Sequence, residues 1–154
     1  MDKLNFENIF FDALDTFKVF EDLKLDYANK TIADTPKTVW QILNHLIIWQ
    51  QYQLNILNQQ INLKHIDETE TWQVSNAHEQ DEIDAAIVTF NNQIKRIKAI
   101  ISSLSVDMPD IQSKLKYLQD ITSHLSFHLG EIILIRRQMK NYPQPHEMKH
   151  FLAK

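Results

Sequence analysis

A chain of 154 residues with 16 Lys+Arg against 20 Asp+Glu, a formal net charge of −4, suits one domain with a sizeable core and disfavours non-specific nucleic-acid binding. The absence of cysteine excludes a disulfide framework, a thiolate zinc site and a cysteine nucleophile together. One Gly and four Pro leave few residues for hairpin turns, so the composition predicts an all-α chain, a single domain over residues 1–154.

The N-terminal MDKLNFENIFFDALD carries Asp2, Glu7 and Asp12 among its apolar residues and does not read as a signal peptide. No apolar run nears the ~20 residues of a membrane span. A soluble, cytoplasmic protein without membrane or nucleic-acid partners is the expectation.

Phe6, Phe10, Ala13, Phe17 and Phe20 recur at steps of three and four, predicting a first helix from Leu4 to about Asp26 with an aromatic core face. The loop ANKTIADTP then offers Thr35 as a cap and Pro36 as the first position of a second helix, reaching about Gln60. Its stripe reads Ile42, His45, Trp49, Tyr52, Ile56, which puts His45 where a core leucine is expected. A buried imidazole without partners costs about 1–3 kcal/mol, so His45 needs either a hydrogen-bonding neighbour or a metal ion.

Residues 61–79 form the one long irregular stretch, holding His65, Trp72 and His78. Trp72 either lies over the mouth of a site or tucks the loop onto the bundle. His65 and His78 are candidates for extra metal ligands but read first as surface residues, with Asn76 and Glu79 as a capping pair for the next helix. That third helix, Glu79 to Leu104, repeats Ile83, Ile87, Phe90, Ile94, Ile97, Ile101 and Leu104 and serves as a packing spine. Pro109 marks the following turn.

The last helix, Ile111 to about Asn141, carries Leu118, Ile121, Leu125, His128, Ile132, Ile135 and Met139 on one face. His124 and His128 are four apart and therefore on adjacent turns of that face. Phe127, Gly130 and Leu134 make a second, small and apolar face. It packs either against another helix of the chain or against a second subunit. Tyr142 and Pro143 end the helix, and His146 and His150 in the tail repeat the spacing without a core around them.

Each histidine alone reads as a core imidazole with a bonded neighbour. Together, His45, His124 and His128 predict a three-nitrogen site for a divalent metal ion in the core of a helical bundle. An open position at such a site suits a water or a substrate. Imidazole suits zinc, nickel, iron and copper alike, so the ligands leave the metal undecided.

At these residues the chain resembles the DinB-like (YfiT-like) group of metal-dependent bundle proteins. TVWQILNHLIIW around His45 is similar to that family's first metal-histidine segment, and HLSFHLGEIILIRRQ resembles its H-x-x-x-H-x-G-Q helix. The likeness runs in helix order over most of the chain. It implies an up-down-down-up four-helix bundle, often a homodimer, with His45, His124 and His128 as metal ligands. Some relatives use bacillithiol or mycothiol as thiol S-transferases or isomerases. Phe127 stands where the family commonly has Tyr, and Glu131 where it often has Gln.

Two functional classes follow. The catalytic one is a metal-dependent S-transferase joining a low-molecular-weight thiol to a small electrophile, with Trp49 and Trp72 as apolar walls. Its hydrolase variant has Glu131 or Glu79 as base. The other class is a non-catalytic, stress-associated metal-binding bundle. A cavity at the open position favours catalysis; closure by Glu131 or a loop histidine favours the second class.

Overall fold

The computed structural model describes residues 4–59 and 64–153 and is helical, with no strand among those residues. The helices are α1 (Phe6–Phe10), α2 (Leu25–Ala28), α3 (Val39–Leu57), α4 (Glu68–Thr71), α5 (Gln80–Ser102), α6 (Ile111–Gln138) and α7 (Met148–Ala153), with a 3-10 turn at Pro145–Glu147 before the last. Three of them, α3, α5 and α6, span 19, 23 and 28 residues and form the frame, α3 packing against both others. No described helix is long and apolar enough to cross a membrane.

The three-four periodicity of α5 and α6 is realised as expected. Ile83, Phe90, Ile94, Ile97 and Ile101 are buried on α5, and Leu118, Ile121, Leu125, His128, Ile132 and Ile135 on α6. Each such apolar side chain contributes roughly 1.5–3 kcal/mol by leaving water. Helix α6 closes at Gln138, short of the expected Asn141, and Lys140 takes a left-handed φ of 59° just beyond it.

Helix α3 begins later than expected. Thr38 caps it, its Oγ1 accepting from Gln41 N at 3.2 Å while Gln41 Oε1 accepts from Thr38 N at 3.0 Å. This reciprocal pair satisfies two donors that would otherwise be orphaned, so it outcompetes Thr35, whose hydroxyl donates to Ile32 O. The expected end at Gln60 falls outside the described residues. Because α3 lies between two helices, it buries a wider face than one stripe. Val39, Leu43, Leu46, Gln50 and Leu54 are buried beyond the expected stripe, and Trp49, Tyr52 and Ile56 within it lie only half-buried.

The N-terminal segment departs most from expectation. In place of one helix from Leu4 to Asp26 there are α1, a run of turns and α2, with left-handed φ of 50° at Phe17, 50° at Lys18 and 55° at Asp22. Asp15 Oδ1 accepts from Phe17 N at 2.8 Å and starts the second set of turns, over 17–22, locally. The carbonyls that a helix would bond internally are taken by the far end of the chain. Arg136 Nη1 donates to Val19 O at 2.6 Å and to Glu21 O at 3.0 Å, and Tyr142 Oη donates to Phe17 O. The backbone polar groups are thus satisfied across the fold. Leu14, Val19 and Leu23 join Phe6 and Phe20 in the core, whereas Phe17 is 39% exposed.

Candidate metal centre

His45 enters the centre from the middle of α3, and His124 and His128 from successive turns of α6. His45 Nε2 lies 3.0 Å from His124 Nε2, and His128 Nε2 lies 3.1 Å from the same atom. The three rings offer ligand atoms all within 4.8 Å of one another, the one such group of three or more among the described residues. Nitrogens sharing one ion through bonds of about 2.0–2.1 Å stand roughly 3.0–3.4 Å apart; the two pairs through His124 have that spacing and the third lies within 4.8 Å, so the three rings can close on one divalent ion.

Protonation fits as well. Burial, with the fields of His128, His124 and Lys37 behind it, lowers His45 to about 3. Burial and then His128 lower His124 to about 4. Both rings are neutral at pH 7, the form that can ligate.

The outer ring nitrogens are held. His128 Nδ1 stands 2.5 Å from Glu131 Oε2, a carboxylate that can only accept, so Nδ1 carries the proton and Nε2 presents its lone pair. His45 Nδ1 stands 2.7 Å from Thr71 Oγ1 on α4. Trp72, the C-cap of α4, lies face to face on His45 with centroids 3.7 Å apart and planes at 9°. Thr71 and Trp72 are therefore pinned over the site, as one of the two readings of Trp72 required. The far side of the irregular stretch is tied down by Trp40 Nε1 donating to Ser75 O at 2.8 Å and by Asn29, which bonds Ala77 N and O at 3.0 and 2.8 Å.

A cavity of about 550 Å³ opens beside the rings, walled by Trp49, Trp72 and Phe127 and edged by Lys37, Glu68 and Glu131. Lys37 Nζ sits 4.9 Å over the Trp72 ring. A larger groove of about 870 Å³ runs between α1 and α5, away from the histidines, and brings together no group of metal-ligating type among the described residues.

Other expected candidates stay outside. His65, His78, His146 and His150 are exposed and join no cluster. Glu79 is the N-cap residue of α5 without a side-chain cap bond, so the Asn76–Glu79 capping pair does not form; Glu82 Oε2 accepts from His78 N at 3.0 Å instead. Glu79 does not line the cavity. A Cβ on Gly130 would meet nothing within 4 Å, and Phe127 and Leu134 are 65% and 58% exposed, which rules out the intramolecular helix contact among the described residues.

Two residues escaped the sequence reading. Thr71 gave no signal in a loop of unknown path. Arg136 follows Ile132 by four and so falls on the buried face of α6, a position at which a charged residue already asks for partners. Compared with protein-family models, curated proteins and solved structures, the chain matches none.

Proposed function

We propose that this chain is a divalent-metal-binding bundle of the DinB-like type, its broken N-terminal segment standing for the first helix of an up-down-down-up arrangement. The convergence of three Nε2 atoms at 3.0 and 3.1 Å carries this reading. The ligands are His45, His124 and His128, and zinc, nickel and iron all suit them.

The activity that fits best is metal-dependent transfer of a low-molecular-weight thiol onto a small electrophile. A bound divalent ion supplies Lewis acidity, which ionises a thiol near neutral pH, where a free thiol of pKa about 8.5 is mostly protonated. The thiol sulfur forms a bond to the electrophilic carbon, the leaving group departs with its electron pair, and the thiol proton passes to solvent. The chain's own part is to hold three neutral imidazoles, wall off water with Trp49, Trp72 and Phe127, and seat the electrophile between them. A cytoplasmic setting, where small thiols are kept reduced, suits this chemistry.

The open cavity favours catalysis over a purely structural metal site. Glu131 is committed to His128 Nδ1, and Glu79 lies off the cavity, so the hydrolase variant lacks the two bases expected for it. A second copy of the chain docked along Phe127, Gly130 and Leu134 completes the proposal as a homodimer. Sedimentation then shows a dimer that Gly130→Leu weakens, and a concentration-independent monomer removes it.

The central test is metal content by elemental analysis. About one ion per chain is expected in the wild type, with sharp loss in His45→Ala, His124→Ala and His128→Ala and none in His146→Ala. Equal content in all four variants would sink the site. Activity is tested with a chlorinated aromatic and bacillithiol, glutathione or coenzyme A in turn. Turnover should need both metal and thiol. No rate above the free-thiol background removes the transferase reading, and thiol-independent ester hydrolysis replaces it with the hydrolase.

A further inference from the structure

We propose that Thr71 is a positioning residue that locks His45 in the one tautomer able to ligate, which makes α4 a working part of the metal centre. The inference rests on the metal reading above for its purpose, but its physical content does not depend on an ion.

Proton counting carries it. Thr71 Oγ1 stands 2.6 Å from Glu68 O, one turn back on α4. Two oxygens so close need a proton between them, and a carbonyl has none to give. The single hydroxyl proton of Thr71 is therefore spent on Glu68 O. Thr71 Oγ1 also stands 2.7 Å from His45 Nδ1, and that contact needs a proton too. It must come from the ring. His45 thus carries its hydrogen on Nδ1, and its Nε2 lone pair faces His124 and His128.

The surroundings make the lock firm. Thr71 is 1% exposed and His45 2%, so solvent is poorly placed to replace the hydroxyl. Trp72, next in the chain, stacks on the same ring and fixes its plane. Glu131 does the equivalent service for His128 from within α6, whereas His45 is served across the fold, from a four-residue helix in the irregular stretch. With His45 and His128 both protonated on Nδ1, the metal-free centre holds its one shared proton on His124 Nε2, which faces both acceptors at 3.0 and 3.1 Å; without the hydroxyl, His45 is free to take the Nε2–H form instead. An ion would then have to reverse that tautomer at His45 before it could bind, a shift that the Nδ1–Thr71 bond has already made in the wild type.

The test compares wild type, Thr71→Val and Thr71→Ser in two measurements. The first is affinity for Zn²⁺ by competition with a chelator. Thr71→Val, which keeps shape and loses the acceptor, should bind about 10–100-fold more weakly, and Thr71→Ser should recover most of the loss. The second is the ring-nitrogen NMR spectrum of His45 in the metal-free protein near neutral pH. Wild type and Thr71→Ser should show the Nδ1–H tautomer, and Thr71→Val should shift toward Nε2–H. A wild-type spectrum showing Nε2–H overturns the lock by itself, even if the valine variant does not fold. Unchanged Zn²⁺ affinity in Thr71→Val also overturns it. Wild type that shows Nδ1–H but takes up no Zn²⁺ upholds the lock and defeats the metal reading instead.

Discussion

Trp72 lies flat on His45, 3.7 Å between ring centroids and 9° between planes, although 26 residues of chain separate them. The stack joins the C-terminal end of α4 to the centre of α3, and it places an indole within reach of whatever the imidazoles hold. Addition of Ni²⁺ or Co²⁺ should therefore quench tryptophan emission. Trp72→Phe should lose a large part of that response, leaving what Trp49 supplies from 6.1 Å off His124. Trp72→Ala should bare the ring and lower metal affinity by about tenfold. Equal quenching in wild type and Trp72→Phe would show that the stack is not kept in solution.

Acid should weaken the metal-free protein in a defined window. His45 and His124 are lowered to about 3 and about 4 in the folded chain, from an ordinary value of 6.5. As pH falls below 6.5, the unfolded chain takes up protons that the folded chain refuses, so stability drops until the folded pKa values are reached. The slope is at most about 1.4 kcal/mol per pH unit for each ring. Urea midpoints should fall from about pH 7 to about pH 5, and less so in His124→Asn. A midpoint flat across that range would contradict the burial of these rings.

Arg136 should prove costly to replace. The residue is 2% exposed, and its guanidinium serves Val19 O, Glu21 O and Asn141 O at 2.6, 3.0 and 2.7 Å, with the Tyr142 ring 5.4 Å away. Burial pushes its pKa down, while Tyr142, Asp22 and Glu21 act in the other direction. Arg136→Met leaves three carbonyls short of a donor and should cost at least about 3 kcal/mol, read as a lowered urea midpoint. Arg136→Lys should recover little, because one ammonium cannot reproduce the planar fork.

Gln50 points the other way. It is 1% exposed at the heart of α3, and neither its Oε1 nor its Nε2 has a hydrogen-bond partner among the described residues. Gln50→Leu removes two unpaired polar atoms at similar volume and should raise stability by about 1–2 kcal/mol. A lower thermal midpoint in that variant would mean that the amide is satisfied in solution.

What the sequence determined by itself was what local periodicity and composition can carry. The scarcity of Gly dictated helices, and the unbroken repeat from Ile83 to Ile101 fixed α5 and its buried face. The step from His124 to His128 set two imidazoles on one side of α6 before any partner was known. Tertiary structure decided whatever depends on groups far apart in the chain. The aromatic repeat from Phe6 to Phe20 favoured one helix. Arg136 and Tyr142, more than a hundred residues on, took its carbonyls and the turns won. The same holds at the centre. His45 could be suspected from its place in an apolar stripe, but the proton on its Nδ1 is set by Thr71, and its plane by Trp72. Periodicity reports which face of a helix turns inward; which atom meets it there is decided by the packing of other elements.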